Sequence, residues 1–146
     1  MKKAIKMTLG LAVMAMVVLT ACGKYPEGPK LSLRSKTSRL AGDWKLSKYL
    51  KNGTDITSQV LGSGDMMTSS ITKDGKWSST YTSGSFSFSS TGTWEFVDKK
   101  EKLKMVTDGS TDTDGDTSTI VKLKNKELWM EDTQGSDTYQ SQYVPK

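Results

Sequence analysis

Ser85-Phe86-Ser87-Phe88-Ser89-Ser90-Thr91-Gly92-Thr93-Trp94-Glu95-Phe96-Val97 alternates with period two along its whole length. Phe86, Phe88, Ser90, Gly92, Trp94 and Phe96 share one parity; the other carries Ser85, Ser87, Ser89, Thr91, Thr93, Glu95 and Val97. Successive side chains of a strand point to opposite faces, so this stretch reads as a long strand with one face on a core and one in water. Gly92 stands where a long barrel strand needs to bend.

The flanking segments fall into register with it. A two-residue turn at Lys99-Lys100 sets Phe96 opposite Leu103 and Trp94 opposite Met105. Upstream, Lys73-Asp74-Gly75 reads as a three-residue loop with Gly75 in the left-handed position, which pairs Ile71 with Trp77 and Met67 with Tyr81. Downstream, a turn at Asn125-Lys126 pairs Leu123 with Leu128 and Val121 with Met130. A last hairpin across Thr133–Ser136 sets Met130 opposite Tyr139. Each register puts apolar partners on one side. With a first strand over Gly42–Lys51, about eight antiparallel strands follow one another, and no window shows a helical stripe. The expected class is all-β, a single up-and-down antiparallel β-barrel over residues 40–146, which leaves no exposed sheet edge. An open sandwich is the alternative. Between the first two strands, Asn52-Gly53 reads as a turn and Asp55 as the cap of a short helical turn.

The same parity gives an inner face of Trp44, Leu46, Met67, Trp77, Tyr81, Phe86, Phe88, Trp94, Phe96, Met105, Tyr139 and Tyr143, interspersed with Ser69, Ser79, Ser90 and Ser141. Small polar residues among aromatics suit a partly wet pocket for an amphipathic ligand; a tightly filled core is the plainer possibility. The candidate ligand-binding residues are Lys48, Trp77, Tyr81, Phe86, Phe88, Trp94, Tyr139 and Tyr143. Lys48 shares the parity of Trp44 and Leu46, so it either points inward, toward an acidic ligand head, or marks a bulge. Tyr49, Val97, Val106, Ile120 and Trp129 are expected on the outside.

The amino terminus carries a different message. Lys2, Lys3 and Lys6 precede an apolar run from Met7 to Leu19 that is short for a membrane span, the order of a secretory signal, with an uncleaved anchor helix as the alternative. The run closes on Leu19-Thr20-Ala21-Cys22, which resembles the lipobox of bacterial lipoproteins. The resemblance implies cleavage before Cys22, a diacylglyceryl group on its sulfur, and acylation of the new amino terminus by a chain such as palmitate. Two or three acyl chains hold a protein at a membrane where one does so only marginally. Cys22 is the only cysteine, so an internal disulfide is excluded and lipidation accounts for a lone exported thiol. Residues 1–21 are then the signal peptide and 22–39 a tether rich in Pro, Gly and basic residues. Gly23-Lys24 follows Cys22, with no acidic residue next to it where inner-membrane lipoproteins often carry Asp, so the expected location is the outer membrane, on its periplasmic or its outer face.

Composition narrows the chemistry. The chain has 21 Lys+Arg against 16 Asp+Glu; loss of Lys2, Lys3 and Lys6 leaves 18 against 16, a net charge of about +2. No basic block interleaved with aromatics stands out, which argues against nucleic acid as a partner. There is no histidine. With the one thiol assigned to lipid, Ser-His-Asp and Cys-His catalysis and His- or Cys-based metal sites are excluded. Glu95, Glu127 and Glu131 fall on outer parities, so no internal carboxylate pair forms, and no enzyme activity and no cofactor are expected. Asp112, Asp114 and Asp116, with Asp108 nearby, are candidate calcium ligands. Aligning Gly115 with the EF-hand glycine, however, puts Ser110 first and Val121 where the bidentate Glu belongs. An ordinary polar loop is the plainer reading.

Gly42-Asp43-Trp44, at the head of the first strand, resembles the Gly-x-Trp motif of lipocalins. It sits in Arg39-Leu40-Ala41-Gly42-Asp43-Trp44-Lys45-Leu46, followed by Tyr49 and Asn52-Gly53. With the lipobox, the tether and the hairpins, the chain resembles the lipocalin-like lipoproteins of Bacteroidetes, over residues 40–146 and the lipid signal. The resemblance implies that Trp44 closes the barrel floor and that Gly42 lets the chain enter tightly. The lipocalin arginine that packs over this tryptophan from the last strand has no counterpart in residues 137–146. Two functions follow as expectations: a membrane-anchored protein holding a small apolar or amphipathic ligand in its barrel, or a non-catalytic interaction lipoprotein docking another envelope protein through its outer face or loops.

Overall fold

The computed structural model describes residues 33–146 apart from Thr113. The signal sequence, Cys22 and most of the proposed tether lie outside the described residues. Nine strands follow in order: β1 (Gly42–Lys51), β2 (Thr54–Asp55), β3 (Met66–Ile71), β4 (Lys76–Ser83), β5 (Phe86–Val97), β6 (Lys102–Thr107), β7 (Asp116–Lys124), β8 (Glu127–Gln134) and β9 (Asp137–Pro145). Every pairing is antiparallel, and each of β3 to β8 pairs with its successor in the chain. β1 closes the circle: its first half pairs with β3 and its length from Trp44 onward with β9. The two-residue β2 is an appendage of β1. The result is an eight-stranded up-and-down barrel, and the sandwich is ruled out.

Three registers agree with the alternation in the sequence: Ile71 faces Trp77, Phe96 faces Leu103, and Leu123 faces Leu128. Gly75, at φ 85°, takes the left-handed position that its hairpin requires. The last hairpin differs. Its turn is Gly135-Ser136, two residues tighter than the alternation suggests, so Met130 faces Ser141 and Tyr139 faces Asp132. Two β-bulges also change the inner face. Ser47 is an extra residue between Leu46 and Lys48, and Val121 is extra between Ile120 and Lys122. A bulge puts two residues opposite one and so inverts parity beyond it. Lys48 therefore pairs with Gln142 on the outside and is exposed, while Tyr49 faces inward opposite Ser141. Ile120, expected outside, is 1% exposed and packs in the core, and the expected pairing of Val121 with Met130 is replaced by Ile120.

One end of the barrel is solid. Leu40, Leu103, Leu123 and Leu128 are at most 1% exposed and pack with Trp44, Ile71, Trp77 and Trp94. Full burial of each leucine contributes about 1.5–3 kcal/mol. A helix, α1 (Lys36–Leu40), covers this floor, capped by the Ser35 hydroxyl, which accepts from the Ser38 N–H. Part of the proposed tether is therefore packed structure. A second short helix, α2 (Thr57–Val60), lies in the β2–β3 connection. Asp55 does serve that turn, its carboxylate accepting from the Thr57 N–H at 2.9 Å.

Candidate ligand site

The motif around Trp44 builds the floor. The Trp44 indole N–H donates to the Leu40 carbonyl at 2.8 Å, tying β1 to α1. Arg39, 9% exposed, donates to the Leu123 carbonyl at 3.1 Å and lines a small groove together with Gly42 and Trp44. An arginine thus stands beside this tryptophan, brought from the helix before β1 rather than from β9. Trp77 and Trp94 are satisfied in the same manner, donating to the carbonyls of Thr93 at 3.0 Å and Thr72 at 2.9 Å. Trp94 also meets Phe96 edge-on at 5.3 Å. It belongs to the floor and does not line the interior space.

Above the floor the barrel is hollow. A cavity of about 280 Å³ is lined by Trp44, Trp77, Leu128, Met130 and Tyr143 among others. Its remaining wall explains why it is not filled. Ser69, Ser79 and Ser90 face one another in a row across β3, β4 and β5. Three small side chains side by side leave room that larger ones would take. Their polarity is partly met within the wall: Ser69 donates to the Ser79 oxygen at 3.2 Å, and Ser79 to the Thr68 carbonyl at 3.2 Å.

Met105, Met130 and Tyr143 also line a second, more polar space of about 470 Å³, together with Asp116, Ser118, Asp132 and Ser141. The two spaces therefore meet at these three side chains, and the upper one lies toward the end of the barrel opposite α1. Tyr49 and Tyr139 stack there at 5.9 Å, with the Lys51 ammonium 5.5 Å from the Tyr139 ring and held by Asp137 at 2.7 Å. Burial, followed by the charge of Asp132, pushes the Tyr143 hydroxyl above its ordinary range. Tyr81 donates to Asp65 at 2.6 Å, which holds that carboxyl low.

Of the aromatic candidates, Trp77 and Tyr143 line the cavity, and Tyr81 and Tyr139 stand near its open end. Phe86 and Phe88 keep inward parity, yet each is 60% exposed. β5 meets β6 only from Gly92 onward, so the β4–β5 hairpin extends beyond its neighbour and carries both rings past the closed wall. Lys48 lies outside and takes no part in the site. A bulge hides the orientation of Tyr49; Asp132 shares the inward parity of Leu128 and Met130, and the hairpin shift hides only its pairing with Tyr139.

The acidic loop does not converge. Asp108 accepts from Thr91, Asp112 accepts from the Asp114 N–H, and Asp116 stands on β7 opposite Met105. Among the described residues no three acidic, histidine or cysteine side chains are placed to hold a metal ion. No described helix is long and apolar enough to cross a membrane.

Comparison with solved structures finds a lipocalin-like protein from Bacteroides uniformis at a TM-score of 0.50 and 16% identity, covering 74% of this chain and 99% of that one. At that identity the likeness is one of fold. No family model matches the chain, and no curated protein does.

Proposed function

We propose that this chain is a lipoprotein of the outer membrane, anchored through Cys22, whose lipocalin-like barrel binds a small apolar or amphipathic ligand and catalyses nothing. The observation that carries this reading is the cavity of about 280 Å³ lined by Trp44, Trp77 and Met130, continuous with a wetter vestibule. Ligand sites are concavities of this order, mostly apolar with a few placed polar groups. A filled interior would have argued against it. The chain enters the barrel at its closed end through α1, so a lipid on Cys22 tethers the floor and leaves the mouth at the opposite end. Residues 22–33 reach at most about 40 Å when extended.

The test is displacement of a fluorescent fatty acid from the full chain in nanodiscs, with native mass spectrometry for retained ligand. A saturable, displaceable signal that Ser79→Leu reduces by filling the serine wall supports the reading. Absence of both bound species and displaceable signal sinks it. Cys22→Ser should move the protein from the membrane fraction to the soluble one; retention in the membrane would refute the lipid anchor.

A second reading has one observation in its favour, the exposed Phe86 and Phe88 on the extended hairpin. They suit docking to an envelope protein better than Trp129, whose ring lies under the Lys122 ammonium at 3.4 Å. A stoichiometric envelope partner lost on the double change Phe86→Ser and Phe88→Ser would favour that reading.

A further inference from the structure

The upper space contains a carboxylate that a purely apolar ligand does not need. Asp132 stands on β8 two residues beyond Met130 and four beyond Leu128, both of which line the lower cavity. It also lines the upper space, directly opposite Tyr139 in the β8–β9 register. The Tyr139 ring stacks on Tyr49, and Tyr143 lines the boundary with the lower cavity. Two other carboxylates at this end are engaged: Asp65 accepts from Tyr81, and Asp137 holds Lys51 at 2.7 Å. Asp132 has no hydrogen-bond or ion-pair partner among the described residues. By strand register, Lys51 is the one cation on the inner face at this end among the described residues, and Asp137 already takes it. Asp116, on the wall formed by β7, adds a second negative charge.

We infer that this mouth selects a cationic amphiphile, an amine or quaternary ammonium head seated between Asp132 and the tyrosine rings with its apolar tail in the cavity below. The inference rests on the ligand-binding reading and names the ligand's chemical class. The electrostatics support it in two ways. A cation gains from the carboxylate and from the negative faces of the rings, both in a partly desolvated space. An anionic head would instead face Asp132 and Asp116, with the Lys51 ammonium already committed to Asp137. The cavity also fits the tail, because its lower wall of indoles, leucine and methionine has no charged group to desolvate.

Three probes with one tail separate the possibilities: hexylamine, hexanol and hexanoate, titrated into the full chain in nanodiscs by calorimetry, with empty nanodiscs as the blank. The expected result is hexylamine binding about tenfold more tightly than hexanol, hexanoate more weakly than either, and loss of the preference for hexylamine over hexanol in Asp132→Asn. Hexanol or hexanoate binding as tightly as hexylamine overturns the inference and leaves ligand binding standing. Binding of none of the three counts against the binding reading itself and removes the inference with it. An amine preference that survives Asp132→Asn overturns the assignment to this carboxylate. Should that variant fail to fold, the ranking of the three probes on the unaltered chain decides.

Discussion

A single hydrogen at position 92 lets β4, β5 and β6 lie together over the floor. A methyl group there would overlap the Val106 carbonyl oxygen and sit 2.8 Å from the Trp77 indole nitrogen. Backbone cannot yield as a flexible side-chain end can, so Gly92→Ala should cost about 2–3 kcal/mol, seen as a fall of about 1–2 M in the urea midpoint. An unchanged midpoint would show that the strands separate at little cost. Arg39 acts at the other side of the floor, where its guanidinium spans from α1 to the β7 carbonyl of Leu123. Arg39→Ala removes a charged hydrogen bond and the packing of a long stem, with an expected loss of about 2 kcal/mol in the same measurement. If the melt is unaffected, the helix is an ornament rather than part of the closure.

At the scale of strands and turns, the two bulges decide which residues beyond them face the barrel interior. Because Ser47 is extra, Lys48 should be open to solvent and Tyr49 shielded inside. In a Cys22→Ser background, a charged maleimide should label Lys48→Cys several-fold faster than Tyr49→Cys; equal rates would remove the bulge. The hairpins around Ile71–Trp77 and Phe96–Leu103 could be read from alternation because an apolar pair on one face leaves few competing registers. Bulges escape such reading, since an inserted residue can keep an acceptable pattern on both sides of the insertion. Ile120 was misplaced for that reason; Lys48 allowed either an inward side chain or a bulge, and the structure holds the bulge, which removes Lys48 from the ligand candidates. The β8–β9 slip of two residues preserved every face and so left no trace in the pattern, yet it is what brings Asp132 to Tyr139. The exposure of Phe86 and Phe88 was hidden too, because alternation tells which way a ring points but not how far its neighbouring strands extend.

Taken whole, the molecule is a tight floor under a hollow upper half. It has no histidine. Asp55, Asp65, Asp74 and Asp137 are held below the ordinary carboxylate range, chiefly by hydrogen bonds from Thr57, Tyr81, Thr72 and Lys51 respectively. A depressed carboxyl stabilises the fold above its unfolded pKa and loses that contribution as pH falls through the folded value. Tyr143, raised by burial, acts at the other limit, its contribution present below about pH 10 and lost above it. Thermal stability should therefore be nearly flat between about pH 5 and 9 and fall beyond either end. A marked transition near pH 6.5 would contradict this distribution of titrating groups.

The central claim is that the cavity above the floor, and not the outer surface, receives the ligand's apolar part. Intermolecular nuclear Overhauser effects between the terminal methyl of bound hexylamine and the protein test it most directly. The account predicts contacts from that methyl to the indole protons of Trp44 and Trp77, both of which line the cavity. Contacts confined to the exposed rings of Phe86 and Phe88, or to Trp129 on the outer face, would contradict it.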